Sequence, residues 1–278
     1  MKIGITELDY RQYGNDRFRL IREHGYEAID YNMAETLDRL YTVDEQEFER
    51  ILLEDKKLAA EAGLEISQVH GPWRWPPRDN TEEDRAERME KMKKSIRGTA
   101  LLGCRYWVIH VIMPFSHEDE GHETETHDMN LSFMRELLSV AKEYDITICL
   151  ENMPMPRLSL GSPKATLDFV KEISDDHFKM CLDLGHQTLF PEQSAADFVR
   201  EHAEYIRVFH IHDSNGKIDL HLMPYYGITD WKDFGKALRE VGFSGSFSLE
   251  TAPPKKLPPE QFEKMSKLLF EIAKSVIE

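Results

Sequence analysis

The chain has 278 residues, enough for one large α/β domain or two smaller ones. Its 35 basic against 51 acidic side chains leave a formal charge of −16, which repels a phosphate backbone and makes nucleic acid an unexpected partner. The N-terminal MKIGITELDY has no apolar signal core and no apolar run reaches the ~18 residues of a membrane span, so a cytoplasmic protein without membrane contact is expected.

In chain order, short β-branched or aromatic runs alternate with longer segments whose apolar residues recur at helical spacing. KIGIT (2–6) and EAIDYN (27–32) read as the first two strands. Phe48, Ile51, Leu52, Leu58, Ala59 and Ala62 then form one helical stripe, and Gly63 falls where a left-handed C-terminal cap closes it. EISQVH (65–70) is the third strand; Thr81 and Asp84 open the next helix as a capping box, with Met89, Met92, Ile96 and Ala100 facing inward. YWVIHV (106–111) is the fourth strand, the stripe Phe133, Met134, Leu137, Leu138 and Ala141 a helix, and TICLEN (147–152) the fifth strand. FKMCLDL (178–184), IRVFHIH (206–212) and SFSLET (246–251) complete the strands, and Phe262, Met265, Leu269, Ile272 and Val276 supply a last helix.

Eight such units in roughly 250 residues, with no linker or composition break, predict a single (β/α)8 barrel domain over residues 1–278. A doubly wound open sheet is the alternative, but no G-x-G-x-x-G follows the first strand to support it. Cys104, Cys149 and Cys181 are odd in number, lack C-x-x-C spacing and lie in apolar surroundings, so they read as reduced core thiols rather than nucleophiles.

A barrel enzyme builds its site at the C-terminal ends of its strands. Here those ends are polar: His70, His110, Glu151 with Asn152, Asp183 with His186 three residues on, His210 with His212, and Glu250. A single histidine at a strand end is most often a hydrogen-bonded core or loop residue, but six consecutive strands delivering a carboxylate or imidazole to one rim is a different matter. Glu151 and Glu250 directly follow the apolar runs ICL and FSL, where a carboxylate is costly to bury unless it is paired or binds a cation. An oxygen-rich set with some nitrogen suits one divalent ion, Mn, Mg or Co, and admits Zn or Fe. Strand alternation sets His210 and His212 on the same face, so either can be the ligand while the other orients it or meets substrate.

LEN (150–152), CLDLGH (181–186), HIHDSNG (210–216), D-x-H (219–221) and SLET (248–251) together resemble the xylose isomerase-like TIM barrel superfamily, which includes sugar isomerases and epimerases, inosose dehydratases and type IV apurinic endonucleases. The resemblance implies a metal site on Glu151, Asp183, Glu250 and a strand-seven histidine, His210 by its H-x-x-D run or His212 as the alternative. It implies Glu151 and Glu250 as the acid/base pair, and His186 in contact with a substrate hydroxyl. The endonuclease branch uses nine ligands for three zinc ions, and His70, His110, Glu151, Asp183, His186, His210, Asp219, His221 and Glu250 all have that counterpart. The acidic surface and the lack of a basic stripe weigh against that activity, and the same histidines suit a polyol pocket.

Around this rim, Trp73 or Trp75 in GPWRWPPR (71–78) can stack on a sugar, and Arg74 or Arg157 can meet an anionic group; lid packing and solvated charge are the plain alternatives. The relatives' Gly-rich turn after D-x-H is replaced by Pro224-Tyr225-Tyr226-Gly227. The expected chemistry is metal-assisted proton abstraction beside a carbonyl of a small keto sugar or polyol-derived substrate, through an enediolate. Proton return gives epimerisation or isomerisation, and loss of a β-hydroxyl gives dehydration. A homo-oligomer joined at rim loops, with Trp107 or Tyr225 in the contact, is a further expectation.

Overall fold

The strands are β1 (Lys2–Thr6), β2 (Ala28–Asn32), β3 (Glu65–His70), β4 (Tyr106–Ile109), β5 (Thr147–Glu151), β6 (Phe178–Asp183), β7 (Ile206–His210) and β8 (Ser246–Leu249). The computed structural model describes residues 1–34, 39–77, 79–116 and 118–278. All eight strands lie in one parallel sheet in the order β7-β6-β5-β4-β3-β2-β1-β8. The seam between its two edges is closed by Ile211 N donating to Ser248 O at 2.8 Å and Glu250 N donating to Ile211 O at 3.0 Å. The fold is therefore the expected (β/α)8 barrel.

Helices α1 (Arg17–Glu23), α2 (Glu45–Glu61), α3 (Glu82–Leu102), α4 (Glu123–Glu143), α5 (Pro163–Ile173), α6 (Leu184–Gln187), α7 (Ala195–His202), α8 (Trp231–Glu240) and α9 (Pro259–Ile277) follow the strands. Gly63 takes the left-handed conformation (φ 74°) just past α2, as its position predicted. Thr81 caps α3 by accepting from Asp84 N at 3.1 Å. The shorter helices carry caps that local spacing shows only weakly: Ser162, Ser194 and Asp230 each accept from the amide three residues on.

Alternation along the strands sorts the core into two parts. Ile148, Leu150, Met180, Leu182 and Phe209 pack outward against the helices, whereas Val108, Cys149, Cys181 and Val208 form a separate small cluster inside the barrel. One step of two residues toward the C-terminal ends takes that interior set to His110, Glu151, Asp183 and His210. The cysteines are thus buried interior packing, with burial pushing the thiols up and away from reactivity. Trp107 corrects an expectation: it is fully buried, donates its indole N–H to Ser95 Oγ at 2.8 Å, and presents nothing to an oligomer contact. Among the described residues, no helix is long and apolar enough to cross a membrane.

Candidate active site

His210 is the centre of the rim. Its Nδ1 lies 3.1 Å from Glu151 Oε1, 3.3 Å from Glu250 Oε2 and 3.9 Å from Asp183 Oδ2, yet makes no hydrogen bond. Glu151 and Asp183 are buried with it, and Glu250 is only 19% exposed. Three carboxylates converging on one buried imidazole nitrogen repel each other strongly unless positive charge sits among them. One ligand atom from each of these residues falls within 4.8 Å of the others, so the set fits a divalent cation with oxygen and nitrogen ligands.

Two further groups adjoin it. His110 Nε2 and His70 Nε2 approach Glu151 Oε2 at 3.1 and 3.4 Å. On the other side, Asp219 Oδ2 lies 3.0 Å from His221 Nε2 and 3.4 Å from His186 Nε2, while His212 Nε2 is 2.9 Å from Asp183 Oδ2. The rings of His212 and His221 stack with centroids 4.1 Å apart. Asp219 and His221 therefore fold back over the rim, Asp219 partly buried and His221 with its ring edge still open to solvent. His212 is fully buried against Asp183, which leaves His210 as the imidazole among the three carboxylates.

Three of the histidines share one arrangement. His70 Nδ1 donates to Gly71 O at 3.0 Å, His186 Nδ1 to Asn152 O at 2.8 Å, and His221 Nδ1 to Glu250 O at 2.8 Å. Each backbone carbonyl fixes the ring so that Nε2 points at a carboxylate.

The environments push the two glutamates apart. Burial raises Glu151, but His210 and His110 outweigh it and hold the carboxyl well below the usual range. Burial raises Glu250 too, and there the nearby His210 and His221 do not reverse it. Burial opposes charge on His186 and His221; Asp183 and Asp219 prevail at the first, lifting it to about 9, and Asp219 at the second, lifting it to about 10. Asp219 in turn resists burial and is held far below its ordinary value by these two imidazoles.

The loop carrying Asp219 and His221 is anchored by Asp213, the aspartate of the H-x-x-D run, a role its sequence position did not reveal. Fully buried, Asp213 accepts from Ser214 N (2.9 Å), Gly227 N (2.9 Å), Thr229 N (3.2 Å) and Trp231 Nε1 (2.8 Å), and its backbone pairs with Leu222. Gly227 is required by this closeness: a Cβ there would stand 2.1 Å from Ser214 O. Gly185 of CLDLGH has a like role, since its Cβ would lie 1.9 Å from His212 Cε1. His221 itself sits at φ 45°, a conformation non-glycine residues rarely adopt, held by its contacts to Asp219 and Glu250.

Above the rim opens a cavity of about 530 Å³, lined by Glu151, Glu250, His70, His110, His186, Asp219 and His221, with Trp73, Trp75, Arg74, Met113 and Met153 on its walls. Arg157 stands apart from it: 54% exposed, it pairs with Glu118 at 3.0 Å and Glu120 at 2.6 Å. Arg78, at the end of the loop that supplies Trp73, lies outside the described residues. Tyr225 and Tyr226 are exposed and do not line the cavity. A further residue missed from sequence is Asp30, buried in the middle of β2 with Oδ2 3.1 Å from His210 Nε2.

Fold and rim together define a (β/α)8 barrel with a carboxylate–imidazole cluster at the C-terminal ends of its strands. The model of the xylose isomerase-like TIM barrel family matches residues 18–269, and the chain belongs to that family. An uncharacterised protein of Methanocaldococcus jannaschii is 30% identical over 188 residues, a match spanning 66% of this chain and 63% of that protein. A D-psicose 3-epimerase of Enterocloster bolteae is 24% identical over 254 residues, covering 87% of this chain and 76% of its own length. Among solved structures, a D-tagatose 3-epimerase-like protein is 25% identical with a TM-score of 0.77, covering 100% of this chain and 98% of its own.

Proposed function

We propose that the protein is a divalent-cation-dependent epimerase or isomerase of a small keto sugar. The observation that carries this reading is the convergence of Glu151 and Glu250 on His210 Nδ1, at 3.1 and 3.3 Å, at the floor of an open cavity of sugar size. Kinship with proteins described as ketose 3-epimerases supports the same chemistry. Glu151, Asp183, His210 and Glu250 would hold the ion, which supplies Lewis-acid polarisation of the substrate's oxygens when bound.

The chain's own residues then divide the proton work. Glu151, held ionised, removes the proton from the carbon beside the carbonyl, and Glu250, the more readily protonated carboxyl, returns one to the opposite face. Reversal of the two roles carries the reaction backwards. His70, His110 and His186 offer N–H groups to hydroxyls, and Trp73 covers the apolar face of the sugar. Incubation with a panel of unphosphorylated ketoses and Mn²⁺, followed by chromatographic separation of epimers and aldoses, tests the proposal. Conversion of at least one ketose is expected; a panel with no turnover by cation-loaded protein contradicts it.

A second reading has one observation in its favour: three adjoining groups of potential ligands, His70/His110/Glu151, Glu151/Asp183/His210/Glu250 and His186/His212/Asp219/His221. Such a rim can hold three ions for phosphodiester hydrolysis. The formal charge of −16 opposes a duplex substrate. One tightly held ion per chain favours the epimerase; three zinc ions together with incision of an abasic-site duplex favour hydrolysis.

A further inference from the structure

The histidines at the rim are held in two ways, and His210 belongs with those that have no backbone carbonyl on the ring. His70, His186 and His221 each secure one ring nitrogen on a backbone carbonyl. His210 has no such carbonyl: its Nε2 points down into the barrel and meets a side chain, Asp30 Oδ2, at 3.1 Å. The approach is off the line of a straight hydrogen bond, and Nε2 has no better-aligned partner.

Asp30 is itself held. Gln68 Nε2 donates to Asp30 Oδ2 at 3.1 Å and reaches Phe209 O, the backbone beside His210, at 3.3 Å. This bridge exists because β2 and β3 shift register between Ile29 and Asp30, so that Ile29 pairs with Ile66 but Asp30 with Gln68. Such irregularities re-aim side chains, and this one turns both polar groups onto the barrel interior. Asp30 is 2% exposed, and Gln68 and His210 are fully buried. His70 stacks on the face of His210 with centroids 5.5 Å apart and planes 12° apart, so the ring is fixed from its face as well as its edge.

A carboxylate in the middle of an interior strand is expensive unless it has a partner. Asp30 Oδ1 makes no hydrogen bond, and within the barrel it is His210 and Gln68 that compensate Oδ2. We infer that Asp30 is a positioning residue that keeps the proton of His210 on Nε2 and so reserves Nδ1 for the cation held with Glu151, Asp183 and Glu250. Resting on the proposed cation site, the inference adds the residue that makes His210 a competent ligand. Removal of such a carboxylate behind a ligating imidazole typically weakens metal binding ~10–100-fold.

The test uses the full chain with Asp30→Asn and Asp30→Ala. Asparagine keeps the size and the contact to Gln68, so it remains informative where alanine disturbs the fold. In ¹⁵N-histidine-labelled protein freed of cations and raised in pH until the His210 ring is neutral, two-bond ¹H–¹⁵N correlation should show the wild-type ring keeping its proton on Nε2, assigned by its loss in His210→Asn. In the Asp30 variants the ring should show a mixture of the two neutral tautomers. Calorimetric titration with Mn²⁺ should show affinity falling ~10–100-fold for alanine and less for asparagine. An unchanged tautomer together with Mn²⁺ affinity within twofold of wild type would overturn the inference. Failure of the wild type to bind Mn²⁺ would instead remove the proposed cation site, while the tautomer spectra of the cation-free protein would still decide the role of Asp30.

Discussion

Asp213→Ala should release the loop that brings Asp219 and His221 over the rim. Of the four donors that Asp213 accepts, Ser214 N and Trp231 Nε1 belong to residues buried to within 1%, whereas Gly227 and Thr229 are half-buried and their amides can find water once the loop opens. Each buried donor left bare costs about 1–3 kcal/mol, and the bonds to a charged acceptor are at the upper part of that range. The expected loss is therefore about 3–5 kcal/mol for opening of the segment, and native-state hydrogen exchange of Leu222, Gly227 and Thr229 amides should accelerate ~10²–10⁴-fold. Asp213→Asn should rescue little, because its amide NH₂ would face N–H donors now bonded to Oδ2, those of Gly227 and Trp231. Exchange within tenfold of wild type in the alanine variant would refute the anchoring role, and with it the explanation of how D-x-H reaches the rim.

Gly185→Ala places a methyl where His212 Cε1 stands, 1.9 Å away, so that His212 must leave Asp183; a loss of ~1–3 kcal/mol in urea unfolding is expected, and an unchanged midpoint would show that the glycine is dispensable. Glu151→Gln and Glu250→Gln should each abolish net epimerisation, yet at saturating cation each should still exchange a carbon-bound proton from one epimer only; loss of both half-reactions in both variants at full occupancy would sink the two-base scheme. His186 and His221, raised from 6.5 to about 9 and about 10, contribute stability that is complete below pH 6.5 and lost as pH rises through those values. The Tm of cation-free protein should thus fall by ~2 °C or more between pH 7 and pH 10, and a flat or rising profile would contradict the ion-paired arrangement around Asp219.

Strand positions and the rim were legible because both follow from a period of two: apolar runs ending in Glu151, Asp183 and Glu250 show the same registry in one dimension that the barrel shows in three. Asp30 was invisible for the complementary reason. It stands two residues short of its strand end, and only closure of the barrel brings β2 and β3 to face β7 across the interior, Asp30 meeting His210 and Gln68 meeting Phe209, the latter across 141 positions of sequence. Trp107 and Arg157 show the limit of residue type as a guide. A tryptophan serves an interface or a core equally well, and here Ser95 and the α3 side of β4 claim it. Arg157 finds Glu118 and Glu120 from the neighbouring loop before any substrate anion. Asp213 was hidden within a motif whose histidines drew the chemistry, although an aspartate before a turn is a frequent acceptor of turn amides.

The most direct measurement is proton exchange at carbon: cation-loaded protein incubated with a ketose in D₂O and followed by ¹H NMR. A single carbon-bound proton adjacent to the carbonyl should be replaced by deuterium, in wild type but not in a Glu151→Gln/Glu250→Gln double variant. Cation bound at the rim with no exchange from any ketose of the panel would contradict proton abstraction by these two glutamates.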